Sequence, residues 1–192
     1  MTTTTLDEIN RFWLDEVGEQ GWYQRSDALD ETIRQRFLPA WQQAATLAPS
    51  WADTPEGALA GLILTDQFPR NMFRDDPRAF DTDPLARRLA QAAIGNGFHL
   101  QIPEPQRQFV YLPFEHSEDL ADQDHAVALF RAHMPGENLR HAELHRDTIA
   151  RFGRFPWRNA ALGRVPTPAE NRVMQAGGYA ALVSGKLSLV DP

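Results

Sequence analysis

The chain of 192 residues contains no cysteine, which excludes disulfide bonds and thiolate metal sites. Positive charge is carried almost wholly by arginine, because Lys186 is the one lysine among nineteen basic residues. Arginine-rich codon usage explains such a ratio, so the arginine count alone predicts no function. The absence of cysteine is typical of a reducing compartment, and we expect a cytoplasmic protein.

A long apolar run is also missing. The longest, around residues 58–64, is far shorter than the roughly 20 residues that a membrane-spanning helix needs. The first residues, MTTTTLDEINRFW, contain neither the basic nor the apolar region of a signal peptide. The net charge of −7 argues against general nucleic-acid binding, because phosphate backbones require a basic surface. We therefore expect neither a membrane nor a nucleic acid as a partner.

Strand patterns are nearly absent, whereas cap residues followed by apolar residues at helical spacing recur along the chain. The sequence therefore predicts an all-α protein, a single domain over residues 1–192. We expect about seven to nine helices in stacked antiparallel pairs, an arrangement that is TPR-like without regular repeats.

Local signals predict several helix boundaries. Pro69 should end the third helix, because a proline pushes the residue before it out of the α region. Ser117 should cap a helix running to about residue 134, and another helix should cover residues 137–152. Residues 111–114 are the candidate for an extended piece, but Pro113 argues against a strand there. Three helices should begin at a cap residue followed by proline: Thr54-Pro55, Asp83-Pro84, and Thr167-Pro168 with Glu170 in a capping box.

Two polar segments carry candidate chemistry. In LTDQFPRN, Asp66, Arg70 and Asn71 are candidate ligand-binding residues, or they satisfy a helix end with Asp66 paired to an arginine. The acidic segment, LPFEHSEDLADQDH at residues 112–125, offers His116 as an acid or base with Glu115 or Glu118 beside it. A carboxylate beside an imidazole fixes its tautomer, but a solvated acidic helix start explains the pattern equally well.

His141 and His145 lie four residues apart and so share a helix face, as metal-binding pairs do. Neither the HExxH pattern nor the paired Glu-x-x-His of di-iron bundles is present, and we predict no metal and no cofactor. His145 is the second candidate acid or base. Its helical alignment with Ile149 and Phe152 also fits a buried, hydrogen-bonded histidine.

The basic stretch, RFGRFPWRNAALGR at residues 151–164, concentrates arginines in an acidic chain. Its glycines Gly153 and Gly163 allow turns with positive φ. One interpretation is an ion-pair network with the acidic segment. The other is an anion clamp, with these candidate ligand-binding residues: Arg151, Arg154, Arg158 and Asn159.

Together the motifs DQFPRN, FRDDPRAFDTDPLA, LPFEHSEDLADQ and HRDTIARFGRFPWRNAALGR followed by TPAE resemble the bacterial DUF924 family. The resemblance runs from about Trp13 to the last helix. It implies an all-α, tetratricopeptide-like fold and supplies no reaction. The chain departs from the family pattern at one position. The family usually reads RFGRFPHRN, and Trp157 stands here in place of the histidine of that pattern. This substitution argues further against a metal site.

The sequence thus favours a module that binds a small anionic metabolite or an acidic peptide in an arginine-lined pocket. The alternative is a metal-free hydrolase or lyase that uses His116 or His145 as acid or base. A third hypothesis is a structural scaffold without a small ligand. The sequence does not decide whether the chain is an enzyme or whether it forms homo-oligomers.

Overall fold

A computed structural model describes residues 4–189. Across that range all regular structure is helical, which confirms the all-α prediction. The stacking of the helices in TPR-like pairs stays a prediction. In the part of the chain that is described, no helix combines the length and the apolar character needed to cross a membrane.

The chain divides into two compact units, the first ending at Pro113 and the second beginning at Phe114. The expectation of one domain over residues 1–192 stays a prediction. The helices that begin in the first unit are α1 Leu6–Asn10, α2 Gly18–Gly21, α3 Asp27–Trp41, α4 Ala44–Trp51, α5 Pro55–Leu62, α6 Phe68–Met72, α7 Asp83–Gly95 and α8 Gln108–Glu115. π-helical turns at Arg11–Val17 and Ile63–Gln67 join α1 to α2 and α5 to α6, and 3₁₀ turns lie at Pro77–Phe80 and Phe98–Leu100.

Aromatic side chains fill the core of the first unit. Phe37 and Phe68 pack with their ring centroids 4.7 Å apart, and Trp13 meets Phe68 edge-on at 5.6 Å. The Trp22 ring meets Phe109 at 4.8 Å, and its Nε1 donates to the Trp13 carbonyl at 2.7 Å. Edge-on and tilted aromatic pairs of this kind add to the free energy gained by burying their area.

Pro69 does not end the helix, contrary to the prediction, because the chain stays helical to Met72. Proline has no N–H, so the Thr65 carbonyl one turn earlier loses its normal donor. The Thr82 hydroxyl donates to that carbonyl instead, at 2.6 Å, and in turn accepts from Trp41 Nε1 at 3.1 Å. A π-helical turn and a tertiary hydrogen bond therefore accommodate the proline.

The second unit contains α9 Leu120–His133, α10 Glu137–Phe152, α11 Pro168–Gln175 and α12 Tyr179–Val183, with a 3₁₀ turn at Pro156–Arg158. The predicted bounds of α10 are confirmed, as is the capping box of Thr167 and Glu170. Gly153 and Gly163 have φ of 68° and 61°, so the basic stretch turns where predicted.

Two local predictions are wrong. Ser117 does not cap α9; Asp119 does, accepting from the Ala121 N–H at 2.8 Å. Asp83 does not cap α7, which has Thr82 at that position and Asp83 as its first residue. Residues 111–114, the extended candidate that Pro113 disfavoured, form part of α8, which contains Pro113.

We predict that Thr82→Val destabilises the protein by about 1–3 kcal/mol, because the buried Thr65 carbonyl and the Trp41 N–H lose their partner. Urea unfolding measures this difference. Thr32→Val is the matched control: its hydroxyl donates to the Ala28 carbonyl on an exposed helix face, and its loss should cost no more than about 0.5 kcal/mol. Equal stability losses in the two variants would contradict this account of Pro69.

Candidate functional site

The candidate residues fall into both units. Asp66, Arg70 and Asn71 belong to the first unit. Arg70 donates from Nη1 and Nη2 to the two carboxylate oxygens of Asp83, at 3.0 and 3.1 Å, and Nη1 lies 3.2 Å from Asp66 Oδ1. Asp66 is buried and also accepts from Gln67 Nε2 at 2.6 Å.

Arg70 is thus shared between two buried carboxylates. Burial alone would lower the pKa of its guanidinium, but the charges of Asp66 and Asp83 raise it above the ordinary value. The pairing with Arg70 also explains why Asp83 does not cap α7 as predicted, because both of its carboxylate oxygens accept from the Arg70 guanidinium. These contacts match the structural interpretation of LTDQFPRN.

Asn71 contacts a second buried carboxylate–arginine pair in the first unit, formed by Asp30 and Arg74. Its Nδ2 donates to Asp30 Oδ1 at 2.8 Å, and Arg74 binds both oxygens of the buried Asp30 carboxylate. Asp30 and Arg74 were not among the candidates. Asp30 could have been predicted from the sequence, because a charged residue on the buried face of α3 needs a partner.

In the second unit, the last turn of α8 and the middle of α10 bring Glu115 and His145 together. His145 Nδ1 lies 3.0 Å from Glu115 Oε1 and 3.0 Å from the His141 carbonyl oxygen. Both neighbours are hydrogen-bond acceptors, and the hydrogen bond is made to the His141 carbonyl, so we assign the ring proton to Nδ1. Nε2 is then the basic nitrogen, and within residues 4–189 it has no hydrogen-bond partner. The Glu115 side chain is 5% exposed and the His145 side chain 12%, so the imidazole is oriented from the interior.

Aromatic rings surround the His145 imidazole. Tyr179 lies 4.6 Å away between ring centroids, Phe155 5.3 Å and Trp157 5.9 Å, the last two edge-on. Phe155 and Trp157 stack on each other at 5.0 Å. Trp157 of the basic stretch is therefore part of the wall beside the candidate base.

Sequence reasoning missed Tyr179, which begins α12 directly after two glycines of positive φ, Gly177 and Gly178. Its hydroxyl shares a hydrogen bond with His141 Nδ1. Burial lowers the pKa of His141, with the nearby Glu115 charge acting in the opposite direction. His141 therefore lies beside the pair as a neutral imidazole at neutral pH.

The remaining candidates of the acidic segment are bound to the basic stretch. Glu118 accepts from the Phe155 N–H at 2.8 Å and from both terminal nitrogens of Arg164 at 2.6 and 2.9 Å. Burial alone would raise the pKa of Glu118, but these hydrogen bonds and the positive charges of the arginines hold it below its ordinary value. His116 offers its carbonyl to Arg158 Nη2 at 2.9 Å.

The arginines proposed as an anion clamp also contact internal partners. Arg154 binds both oxygens of the buried Glu170 carboxylate, at 2.6 and 2.8 Å. This hydrogen bonding lowers the pKa of Glu170 to about 2. Arg158 is buried over the Phe155 ring, 4.6 Å from its centroid, and Arg151 donates to the Leu189 carbonyl. Asn159, the fourth residue of that set, is buried.

These residues define an all-helical protein with an oriented carboxylate–imidazole pair. The profile of DUF924, described as a bacterial protein of unknown function, matches residues 9–178, and the chain belongs to this family. It is similar to the solved structure of the protein of unknown function ATU0120 from Agrobacterium tumefaciens, with 41% identity and a TM-score of 0.85 over 90% of this chain and 97% of that one. No curated protein matches the chain.

We predict that Arg70→Ala lowers the free energy of unfolding by about 3–5 kcal/mol, because two buried carboxylates lose their shared cation. Urea unfolding at neutral pH gives the value. Arg131→Ala is the control, since Arg131 pairs with Glu143 on the surface and its loss should cost at most about 1 kcal/mol. A small effect of Arg70→Ala would show that Asp66 and Asp83 do not need it.

We also predict a pH-dependent effect of Glu118→Gln. A carboxylate whose folded pKa is lowered stabilises the fold fully above the unfolded pKa of about 4.3, and this contribution is lost as the pH falls through the folded pKa. The variant should be less stable than the wild type by about 2 kcal/mol at pH 7. The difference should shrink as the pH is lowered below 4.3, as measured by urea unfolding. Glu143→Gln, an exposed carboxylate, should show little change, and a pH-independent Glu118→Gln effect would contradict the assignment.

Proposed function

We propose that the protein is a metal-independent acid–base catalyst, a hydrolase or lyase, in which His145 Nε2 takes the proton and Glu115 orients the imidazole. The observation that supports this most is the double anchoring of His145 Nδ1 by Glu115 Oε1 and the His141 carbonyl, both at 3.0 Å. Two acceptors on one nitrogen leave the other nitrogen with the lone pair that a general base needs.

The surroundings of the ring suit proton transfer. Glu115 is nearly fully buried and stabilises the imidazolium that forms when Nε2 accepts a proton. The rings of Phe155, Trp157 and Tyr179 limit the access of water to the pair and offer an apolar surface to the substrate next to Nε2. Positioned general bases of this kind contribute about 10²–10⁴-fold to a rate.

Binding of a small anion or an acidic peptide in an arginine-lined pocket has less support. Arg154 and Arg164 bind carboxylates through paired hydrogen bonds, and Arg158 binds a carbonyl. An anion would have to compete with these internal acceptors for the same donors. A scaffold without any ligand accounts for the arginine pairs, but it leaves the oriented Glu115–His145 pair without a role.

The tautomer of His145 provides a test that needs no substrate. Long-range ¹H–¹⁵N spectra of histidine-labelled protein above neutral pH should show His145 protonated on Nδ1 and bare on Nε2. In Glu115→Ala one of the two acceptors of Nδ1 is gone, so the other tautomer should gain population. His133→Gln is the control: it should remove the signals of His133 from the spectrum and leave those of His145 unchanged. A wild-type ring protonated on Nε2 would contradict the proposal.

Turnover is the second test, on a panel of chromogenic esters, amides and phosphoesters with chelator present. His145→Gln should abolish activity, and Glu115→Gln should lower kcat by about 10–100-fold with little change in KM, because the substrate does not contact Glu115. His133→Gln is again the control. Turnover that survives His145→Gln, or a panel without any His145-dependent turnover, counts against the proposed function.

A further inference from the structure

The hydroxyl of Tyr179 is a polar group of the second unit to which the proposed function gives no role. It shares a hydrogen bond with His141 Nδ1, and the tyrosine ring lies 4.6 Å from the His145 ring between centroids. His141 and His145 are four residues apart on α10 and so share one face of that helix. One tyrosine therefore contacts both imidazoles, and it carries an O–H group beside the candidate base.

The turn before α12 fixes the position of Tyr179. α11 ends in a Schellman motif, in which the N–H groups of Gly178 and Gly177 donate to carbonyls of its last turn, at 2.9 and 3.1 Å. Both glycines have positive φ, and Tyr179 begins α12 directly after them. At the other end of α12, Arg140 of α10 donates to the Val183 carbonyl. α12 is thus tied to α10 at both of its ends, which holds Tyr179 against the two histidines.

Hydrolysis of an ester requires an acid as well as a base. His145 Nε2 can take a proton from water, but an alkoxide is a strong base and leaves readily only when it receives a proton. Tyrosine is among the side chains that act as general acids. The imidazole of His141 orients this hydroxyl through their hydrogen bond. Tyr179 is only half-buried, as a side chain that meets a substrate must be.

The surroundings of the base favour an uncharged substrate. The buried Glu115 carboxylate lies 3.0 Å from the imidazole and would repel an anion. Arg154 and Arg164 of the basic stretch each hold a carboxylate of the protein through paired hydrogen bonds. The rings of Phe155 and Trp157 beside the imidazole are apolar. These neighbours suit a neutral acyl group better than a phosphate.

We propose that the substrate is an uncharged ester of an aliphatic alcohol and that Tyr179 is the catalytic acid that protonates the departing alkoxide. This inference rests on the proposed function. His145 Nε2 takes a proton from water while the water oxygen bonds to the acyl carbon. The bond from that carbon to the alkoxide oxygen then breaks, and the Tyr179 hydroxyl gives its proton to that oxygen. The imidazolium returns its proton to the tyrosinate through solvent, so the products are a carboxylic acid and an alcohol.

Two esters with the same acyl group, an ethyl ester and a 4-nitrophenyl ester, test the role of Tyr179. Nitrophenolate leaves without a proton, whereas ethoxide needs one. Tyr179→Phe keeps the ring against His145 and removes only the hydroxyl. It should lower kcat for the ethyl ester by about 100-fold or more, and for the nitrophenyl ester by no more than about threefold, with acid release as the measurement. The ratio of the two rates in one preparation does not depend on how much of the protein is folded.

Tyr23→Phe is the matched control, because Tyr23 is an exposed tyrosine of the first unit, and its ratio should equal that of the wild type. His145→Gln should abolish turnover of both esters. If Tyr179→Phe slows both esters equally, or slows neither, Tyr179 is not the acid, while the proposed function stands. Wild-type protein that hydrolyses only the nitrophenyl ester would also overturn the inference. If neither ester is turned over, the substrate class is wrong, and the wider panel decides separately on the proposed function.

Discussion

The Glu118 carboxylate is the acceptor on which the site of the second unit depends. It receives the Phe155 N–H and the Arg164 guanidinium, and so fixes the backbone just after the chain leaves α10. Phe155 and Trp157 can then stack beside His145. A half-buried carboxylate requires such donors, and the same contacts therefore serve stability and the shape of the site.

Features that depend on one helical turn could be predicted from the sequence. The bounds of α10, the turn at Gly153 and the capping box of Thr167 with Glu170 are all of this kind, because each is set by neighbours within a few residues. Pro69 shows the limit. Its helix continues because Thr82, distant along the chain, supplies the hydrogen bond that proline cannot, and no local pattern reveals that donor.

The candidate site was predictable by residue type and not by pairing. Glu115 and His145 could be named as an orienting carboxylate and a candidate base, yet thirty positions separate them and only the packed chain places them 3.0 Å apart. Tyr179 gave no signal at all. One interpretation paired the basic stretch with the acidic segment, but the carboxylate that Arg154 binds is Glu170 of α11. The chain has many acids and many arginines, and which of them pair depends on the folded geometry, which the composition does not specify.

Glu170 performs two structural tasks with one carboxylate. It accepts the Thr167 N–H at the start of α11, and it holds Arg154 of the basic stretch. Losing either partner leaves the buried Glu170 carboxylate with fewer donors. We therefore expect the beginning of α11 and the exit from α10, which turns at Gly153, to unfold together as one cooperative element.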